Sequence, residues 1–323
     1  MKIALYLALA FMTFIGYAPI AQATYPSAAI TLVVPYPPGA STDILARLVA
    51  KKMTENLGQT VIVENKGGAG GTLGSRMVSQ ANPDGYTFLL GTSSTHVGVK
   101  YLMKNVPYDP QTDFTPIAKA VEIPIGLAVH KSVPAQSVQE LISHMKSHPE
   151  KPFAYASSGV GSAHHLAGEK FVQVTQLRID HVGYRGGAPA LNDLIGGQVP
   201  MAFTTLGPAL PYVNQKSIKV LGVVEKDRAS FAPDIPSITE SLPAYTVPAT
   251  WLGFFGPKGL PGDVVQRLYE EIKKAVTDPE VARTLNDTGL VVAVSTPEEF
   301  TALLDEDLKA VKQIVADSDL QPE

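Results

Sequence analysis

Four short stretches carry residue types suited to holding a small anion. The first is Tyr36-Pro37-Pro38-Gly39-Ala40-Ser41-Thr42-Asp43, between the β-branched run Ile30–Val34 and an amphipathic helix. A strand that passes through a tight turn into a helix aims several unpaired backbone N–H groups at one point. The helix dipole adds positive potential there. Such a terminus suits a carboxylate or phosphate without any arginine. The same order recurs at Tyr155-Ala156-Ser157-Ser158-Gly159-Val160-Gly161-Ser162, where Ser162 reads as the helix cap. Two such turns facing across a cleft would clamp one carboxylate. Gly91-Thr92-Ser93-Ser94-Thr95 adds hydroxyls and open backbone after a third strand. Tyr184-Arg185-Gly186-Gly187 leads into a further helix. Arg185 is either a reader of a second anionic group or a surface charge, and His165 either a donor to ligand or a helix-surface residue.

The energies suffice. Charge-assisted hydrogen bonds contribute roughly 1.5–3 kcal/mol each, and a helix terminus adds up to about 2 kcal/mol. A micromolar ligand needs about 8 kcal/mol net. Other chemistries fit poorly. The Asn65–Gly74 stretch is glycine-rich but misses both the GxGxxG spacing and the Walker Lys-Ser/Thr pair. Ser143-His144-Met145-Lys146 matches SxxK without its companion motifs, and no GxSxG elbow exists. His164, His165 and Glu169 make too small a set for a metal. No cofactor is implied.

Composition bounds the setting. The 323-residue chain has no cysteine and a net charge of −4, with no basic stripe, so nucleic acid is not an expected partner. Residues 1–23 read as a cleaved secretion signal: Lys2, an apolar run over Ile3–Ile20, and a small-x-small site at Ala21-Gln22-Ala23. A chain exported this way is expected in the periplasm as a soluble monomer.

Strand and helix patterns alternate through the mature chain. Strands are expected at Ile30–Val34, Val61–Val63, Thr87–Gly91, Ile125–Val129, Phe153–Ala156, Asp180–Tyr184, Val199–Phe203, Lys219–Val223 and Trp251–Phe255. Helices are expected at Thr42–Leu57, Thr72–Gln80, Val138–Ser147 and Ser162–Val174, and after Gly262 the chain is mostly helical. This βαβ repetition predicts parallel sheets covered by helices, with ligand at the carboxyl ends of the strands. Two α/β domains, with a late return of the chain to the first, is one topology that fits.

At these residues the chain resembles the periplasmic receptors of tripartite tricarboxylate transporters, often called Bug receptors. The likeness runs over the mature length. It includes Val34–Gly39 with Asp43 and Ala46-Arg47, Asn65–Gly74, Pro83–Thr87, Tyr108-Asp109-Pro110 and Asp113-Phe114. It continues through Tyr155–Ser162 with His165-Leu166, Tyr184-Arg185-Gly186, Asp193-Leu194, Gly196–Val199, Pro233–Pro236 and Trp251-Leu252-Gly253. The resemblance implies a type II periplasmic-binding-protein fold. Domain 1 would comprise residues 24–121 and 248–323, and domain 2 residues 122–247, with crossover strands between them. It implies binding of an organic carboxylate in the cleft by the Tyr36–Asp43 and Ala156–Ser162 loops, then docking on a membrane permease. Thr92, Ser93, His165, Tyr184, Arg185 and Thr204 complete the expected contact set, with Thr205 a further candidate for the distal end. Ala40, Gly183 and Pro200 depart from the family pattern, so a relative's ligand does not transfer. A sensor on the same fold, and a hydrolase using Ser157 or Ser158 with His164 or His165, are the competing functions.

Overall fold

The computed structural model describes residues 25–150, 153–318, 320 and 322. The secretion signal expected over residues 1–23 lies outside them. Among the described residues, no helix is long and apolar enough to cross a membrane.

The chain opens with β1 (Ile30–Val34), α1 (Ser41–Leu57), β2 (Val61–Asn65), α2 (Thr72–Ser79) and β3 (Thr87–Thr92). β1 pairs in parallel with both β2 and β3, as two βα units dictate. Leu45, Val49 and Met53 of α1 pack with Ile30, Leu32 and Val34 of β1 in one core. Gly58 ends α1 in the left-handed conformation, its N–H donating to Thr54 O at 3.1 Å.

A short helix α3 (Val99–Leu102) leads to β4 (Phe114–Glu122), which the polar Thr115 and Lys119 had hidden from the alternation pattern. β4 passes through only two residues into β5 (Ile125–His130). There follow α4 (Val138–Ser147), β6 (Phe153–Ser157), α5 (Ala163–Thr175), β7 (Ile179–Gly183), α6 (Gly187–Ile195), β8 (Met201–Thr205), α7 (Leu206–Asn214), β9 (Ile218–Val223) and α8 (Ile238–Ser241). The chain then returns through β10 (Trp251–Pro257), α9 (Gly262–Val276), α10 (Pro279–Asp287), β11 (Val291–Val292) and α11 (Pro297–Asp317).

Two sheets result. The six-stranded one has the order β11-β4-β10-β3-β1-β2, and the five-stranded one β7-β6-β8-β5-β9. The expectation of wholly parallel sheets is corrected. β10 runs antiparallel to β3 and β4, and β5 runs antiparallel to β8 and β9. The cause is the crossing itself. β4, β5 and β10 are laid down by a chain travelling between lobes, so no right-handed βαβ crossover sets their direction. β10 sits between β3 and β4, which puts residues from both halves of the sequence in one sheet.

Candidate functional site

The first expected loop is built around a carboxylate. Asp43 Oδ2 accepts from Gly39 N at 3.0 Å and Arg47 Nε at 2.9 Å, and Oδ1 accepts from Asn65 Nδ2 at 3.0 Å. Asn65 Nδ2 also donates to Tyr36 O. Asp43 is therefore a brace inside the loop rather than a free contact. Burial raises its pKa, but the bonds from Arg47, Gly39 and Asn65 outweigh that and hold it below the ordinary carboxylate value. Gly39 stands at φ +92°, a conformation that requires glycine. Ala40 does not need it: at φ −80°, ψ 168° it is ordinary extended backbone, so this departure from the family pattern costs no strain.

Ala40 is the N-cap of α1, with no side chain capping the helix. Ser41 is the first helical residue, one earlier than the hydrophobic periodicity implied. The first-turn N–H groups are thus left without a side-chain acceptor. Beside them Thr42 is buried, and its Oγ1 has no hydrogen-bond partner among the described residues. A buried polar atom without a partner is costly unless something external completes it.

The β3 loop is stiffened from within. Thr92 N donates to Thr95 Oγ1 at 2.9 Å, and Thr95 N donates to Thr92 Oγ1 at 3.1 Å. Tyr36 Oη and Thr92 Oγ1 lie 3.2 Å apart, tying this loop to the first. The next residue is the surprise. His96 is fully buried, stacks on Phe255 with ring centroids 3.7 Å apart, and is held neutral by burial, its pKa pushed down to about 3. Thr92 is thus a brace, whereas Ser93 faces the space between the lobes.

The second jaw differs from the first because it is capped. Ser162 Oγ accepts from His165 N at 3.2 Å and donates to Gly159 O at 2.8 Å. Ser157 is fully buried, with its hydroxyl 2.7 Å from His181 Nε2 and accepting from Gly159 N at 3.1 Å. Ser158 Oγ lies 2.7 Å from His164 Nδ1, and His164 Nε2 lies 3.3 Å from Thr205 Oγ1. His165 is buried rather than displayed: its Nδ1 accepts from Gly161 N at 2.9 Å. Tyr184 donates to Asp193 Oδ2 at 2.7 Å, and burial with that bond pushes its pKa up to about 12. Arg185 is exposed, and Thr204 is buried in β8 opposite Gly126.

One of the expected hydrolase pairings forms and the other does not. Ser157 meets His181, not His164 or His165. The Ser158–His164 pair exists, but a threonine hydroxyl stands where a triad would place its acid. Burial further lowers the His164 pKa to about 4. Among the described residues, no group of three His, Cys, Asp or Glu is placed to hold a metal ion.

A cavity lies between the two lobes, where the segment after β3 meets the second jaw; no residue of Tyr36–Asp43 lines it. Ser93, Ser94 and Gly98 line one side and Gly161, Ala163 and Leu166 the other. The chain segment Val247–Thr250 and Asp307 of α11 close the back. The cavity is narrow, with about 30 Å³ of room for a water-sized group. The lobes are in contact here, since a Cβ placed on Gly161 would lie 3.2 Å from Leu102 Cβ. Thr250 Oγ1 lacks a partner, and Asp307 Oδ2 accepts from Trp251 Nε1 at 2.8 Å. Sequence reading missed this back wall. Asp307 sits amid ordinary helix-surface charge, and nothing local distinguishes it. His181 was missed for the same reason, whereas Arg47 and Asn65 stand within the family motifs.

Two α/β lobes joined by strands that cross between them, with loops from both meeting in the cleft, define a periplasmic-binding-protein fold. Comparison with known proteins makes this specific. Residues 45–320 match the family described as tripartite tricarboxylate transporter family receptor, and the chain belongs to that family. It is 35% identical over 295 residues to the UPF0065 protein in the tcbD-tcbE intergenic region of Pseudomonas sp. strain P51, covering 91% of this chain and 87% of that one. Among solved structures it is similar to Rpa4515 of R. palustris with adipate, at TM-score 0.78 and 30% identity, covering 93% of this chain and all 100% of that one. It is also similar to MatC of Rhodopseudomonas palustris with bound malate, at TM-score 0.72 and 31% identity, covering 90% and 100%.

Proposed function

We propose that this protein is a periplasmic receptor that captures a small organic carboxylate between its lobes and delivers it, as a monomer, to a tripartite tricarboxylate-type membrane permease. The lobes are residues 24–121 with 248–323, and 122–247. They move as units about the crossing segments. The observation that carries the reading is the start of α1: an uncapped helix terminus with a buried, unpartnered Thr42 hydroxyl beside it. A carboxylate there accepts from the first-turn N–H groups and from Thr42 at once, and the helix dipole favours its charge. Ser41 and Ser93 supply further contacts, while Asp43, Thr92, Ser157 and His165 hold the loops. The adipate and malate held by the two relatives support the same ligand class. The narrow cavity requires the lobes to part before a diacid enters. No covalent chemistry is involved, since neither Ser–His pair has an orienting acid.

A thermal-shift screen over mono-, di- and tricarboxylates, amino acids, aromatic acids and sugars tests this. A matching acid at about a hundred times its Kd adds roughly 2.7 kcal/mol, raising the melting temperature by several degrees. Stabilisation by sugars or cations alone overturns the carboxylate reading.

A further inference from the structure

Beneath the second jaw lies a buried cluster that ligand contact does not explain. His165 is 3% exposed, and its ring stacks on His181 with centroids 3.7 Å apart and planes 11° from parallel. His165 Nδ1 accepts from Gly161 N at 2.9 Å. Its Nε2 lies 3.5 Å from Glu169 Oε1, which accepts from Tyr155 Oη at 2.6 Å. His181 Nε2 lies 2.7 Å from Ser157 Oγ, which in turn accepts from Gly159 N. The two imidazoles thus hold the two ends of the Gly159–Gly161 turn, one directly and one through a serine.

The bond to Gly161 fixes a protonation state. A backbone N–H donates only to an unprotonated ring nitrogen, so the His165 proton sits on Nε2, facing Glu169. A second proton on His165 would set N–H against N–H, and the contact with Gly161 must break. Two imidazoles stacked this closely do not both carry charge readily, so a proton on one ring opposes a proton on the other. The other groups around His165 do not replace the lost acceptor. β8 brings no titratable side chain, and Tyr245 from the segment before β10 is engaged with Ala167 O. His164 faces Ser158 and Thr205, and Asp307 of α11 stands across the cavity beyond Leu166.

We propose that His165 and His181 are positioning residues of the binding site: the neutral pair holds the Gly159–Ser162 turn in the shape that closes on a carboxylate, and its protonation releases the turn and weakens capture in acid. The proposal deepens the receptor reading and rests on it for the ligand. Its sign is opposite to simple electrostatics, in which a cationic histidine near an anion tightens binding. Burial and the neighbouring His165 hold the His181 pKa down, to about 4, while Glu169 pulls the other way.

The test follows the Gly161 amide in the mature protein labelled with 15N-glycine, from about pH 8 to about pH 3.5, a range that spans both the ordinary imidazole value and the lowered His181 one. The Gly161 cross-peak is expected to move with the midpoint of the His165 ring signals. In His165→Asn, whose Oδ1 replaces Nδ1 as an acceptor that cannot titrate, the peak stays fixed. Adipate and malate titrations in parallel are expected to weaken about tenfold more on acidification in the wild type than in His165→Asn. Comparing both proteins with one acid cancels protonation of the acid itself. In His181→Gln, which removes the competing ring, the Gly161 transition moves to higher pH; this variant decides the matter if His165→Asn does not fold. A Gly161 amide that stays fixed throughout the range in the wild type overturns the proposal. So does a His165→Asn protein with unchanged pH dependence. If neither acid binds at any pH, the acid that stabilises the protein in the thermal-shift screen takes their place; if no carboxylate does, the receptor reading fails while the amide titration still decides the positioning role.

Discussion

Asp43 and Thr42 are neighbours with opposite relations to the protein. Asp43 is satisfied by three donors from Gly39, Arg47 and Asn65. Its lowered pKa means that its contribution is present above the unfolded value near 3.8 and is lost as pH falls through the folded one. Asp43→Asn is expected to cost about 1–3 kcal/mol at neutral pH. The difference from wild type should shrink in acid melts as pH falls below the ordinary carboxylate value; a deficit unchanged in acid would show that the brace is not ionic. Thr42 is the reverse case, since its hydroxyl has no internal partner. Thr42→Val removes a buried unsatisfied atom, so the free protein should gain about 1 kcal/mol. Carboxylate affinity should fall about tenfold in the same variant, by calorimetry. Equal affinity in wild type and Thr42→Val would remove this hydroxyl from the site.

At the scale of elements, the crossing strands are flanked by buried acids. Glu225, just after β9, accepts from Ile125 N at the start of β5, and burial pushes its pKa up to about 8. Asp307 of α11 holds Trp251 at the start of β10, and burial pushes its pKa up to about 6 despite the indole bond. An acid whose folded pKa is raised binds protons more tightly folded than unfolded. Stability is therefore expected to fall as pH rises from about 4 to about 8, first through Asp307 and then through Glu225. Glu225→Gln and Asp307→Asn should flatten that decline and stabilise the protein at pH 9 by on the order of 1–3 kcal/mol each. Melting temperatures measured across that pH range check this; parallel curves for variant and wild type would show that the two acids titrate normally. These elements also mark what local pattern conveyed. The α1 stripe of Leu45, Val49 and Met53 shows in the spacing, because a helix face must be apolar to pack. The roles of Glu225 and Asp307 do not show, because a charge on a helix or loop looks the same in sequence whether solvent or a neighbouring strand meets it.

For the whole molecule, the lobes touch away from the jaws as well as at them. Gly207 at the start of α7 lies against Gly289 after α10, so closely that a Cβ on Gly207 would meet Gly289 Cα at 2.9 Å. Gly207→Leu should act as a wedge that holds the lobes apart. Carboxylate affinity is expected to drop at least about tenfold with the melting temperature of the free protein little changed, and small-angle scattering should show a larger radius in the presence of ligand than for wild type. Wild-type affinity in this variant would mean that closure does not pass through the Gly207–Gly289 contact.

The residues of the chain by themselves determined the elements of both jaws. Strand, Pro-Pro-Gly turn and helix start are local events, set by backbone sterics and by the period of the apolar residues, and they create an anion-friendly terminus wherever they fold. Tertiary structure alone decided which polar side chains remain free. Ser157, Thr92, Asp43 and His165 all read as contacts, yet each is taken up internally by a partner distant in sequence or hidden in the turn: His181, Tyr36, Asn65, Gly161. It also decided strand direction in β5 and β10, the back wall of the cavity at Thr250 and Asp307, and the stacked histidines under the second jaw. Hydrogen bonding is pairwise and long-range in sequence, so the free donors of a site emerge only when every competing acceptor has been placed.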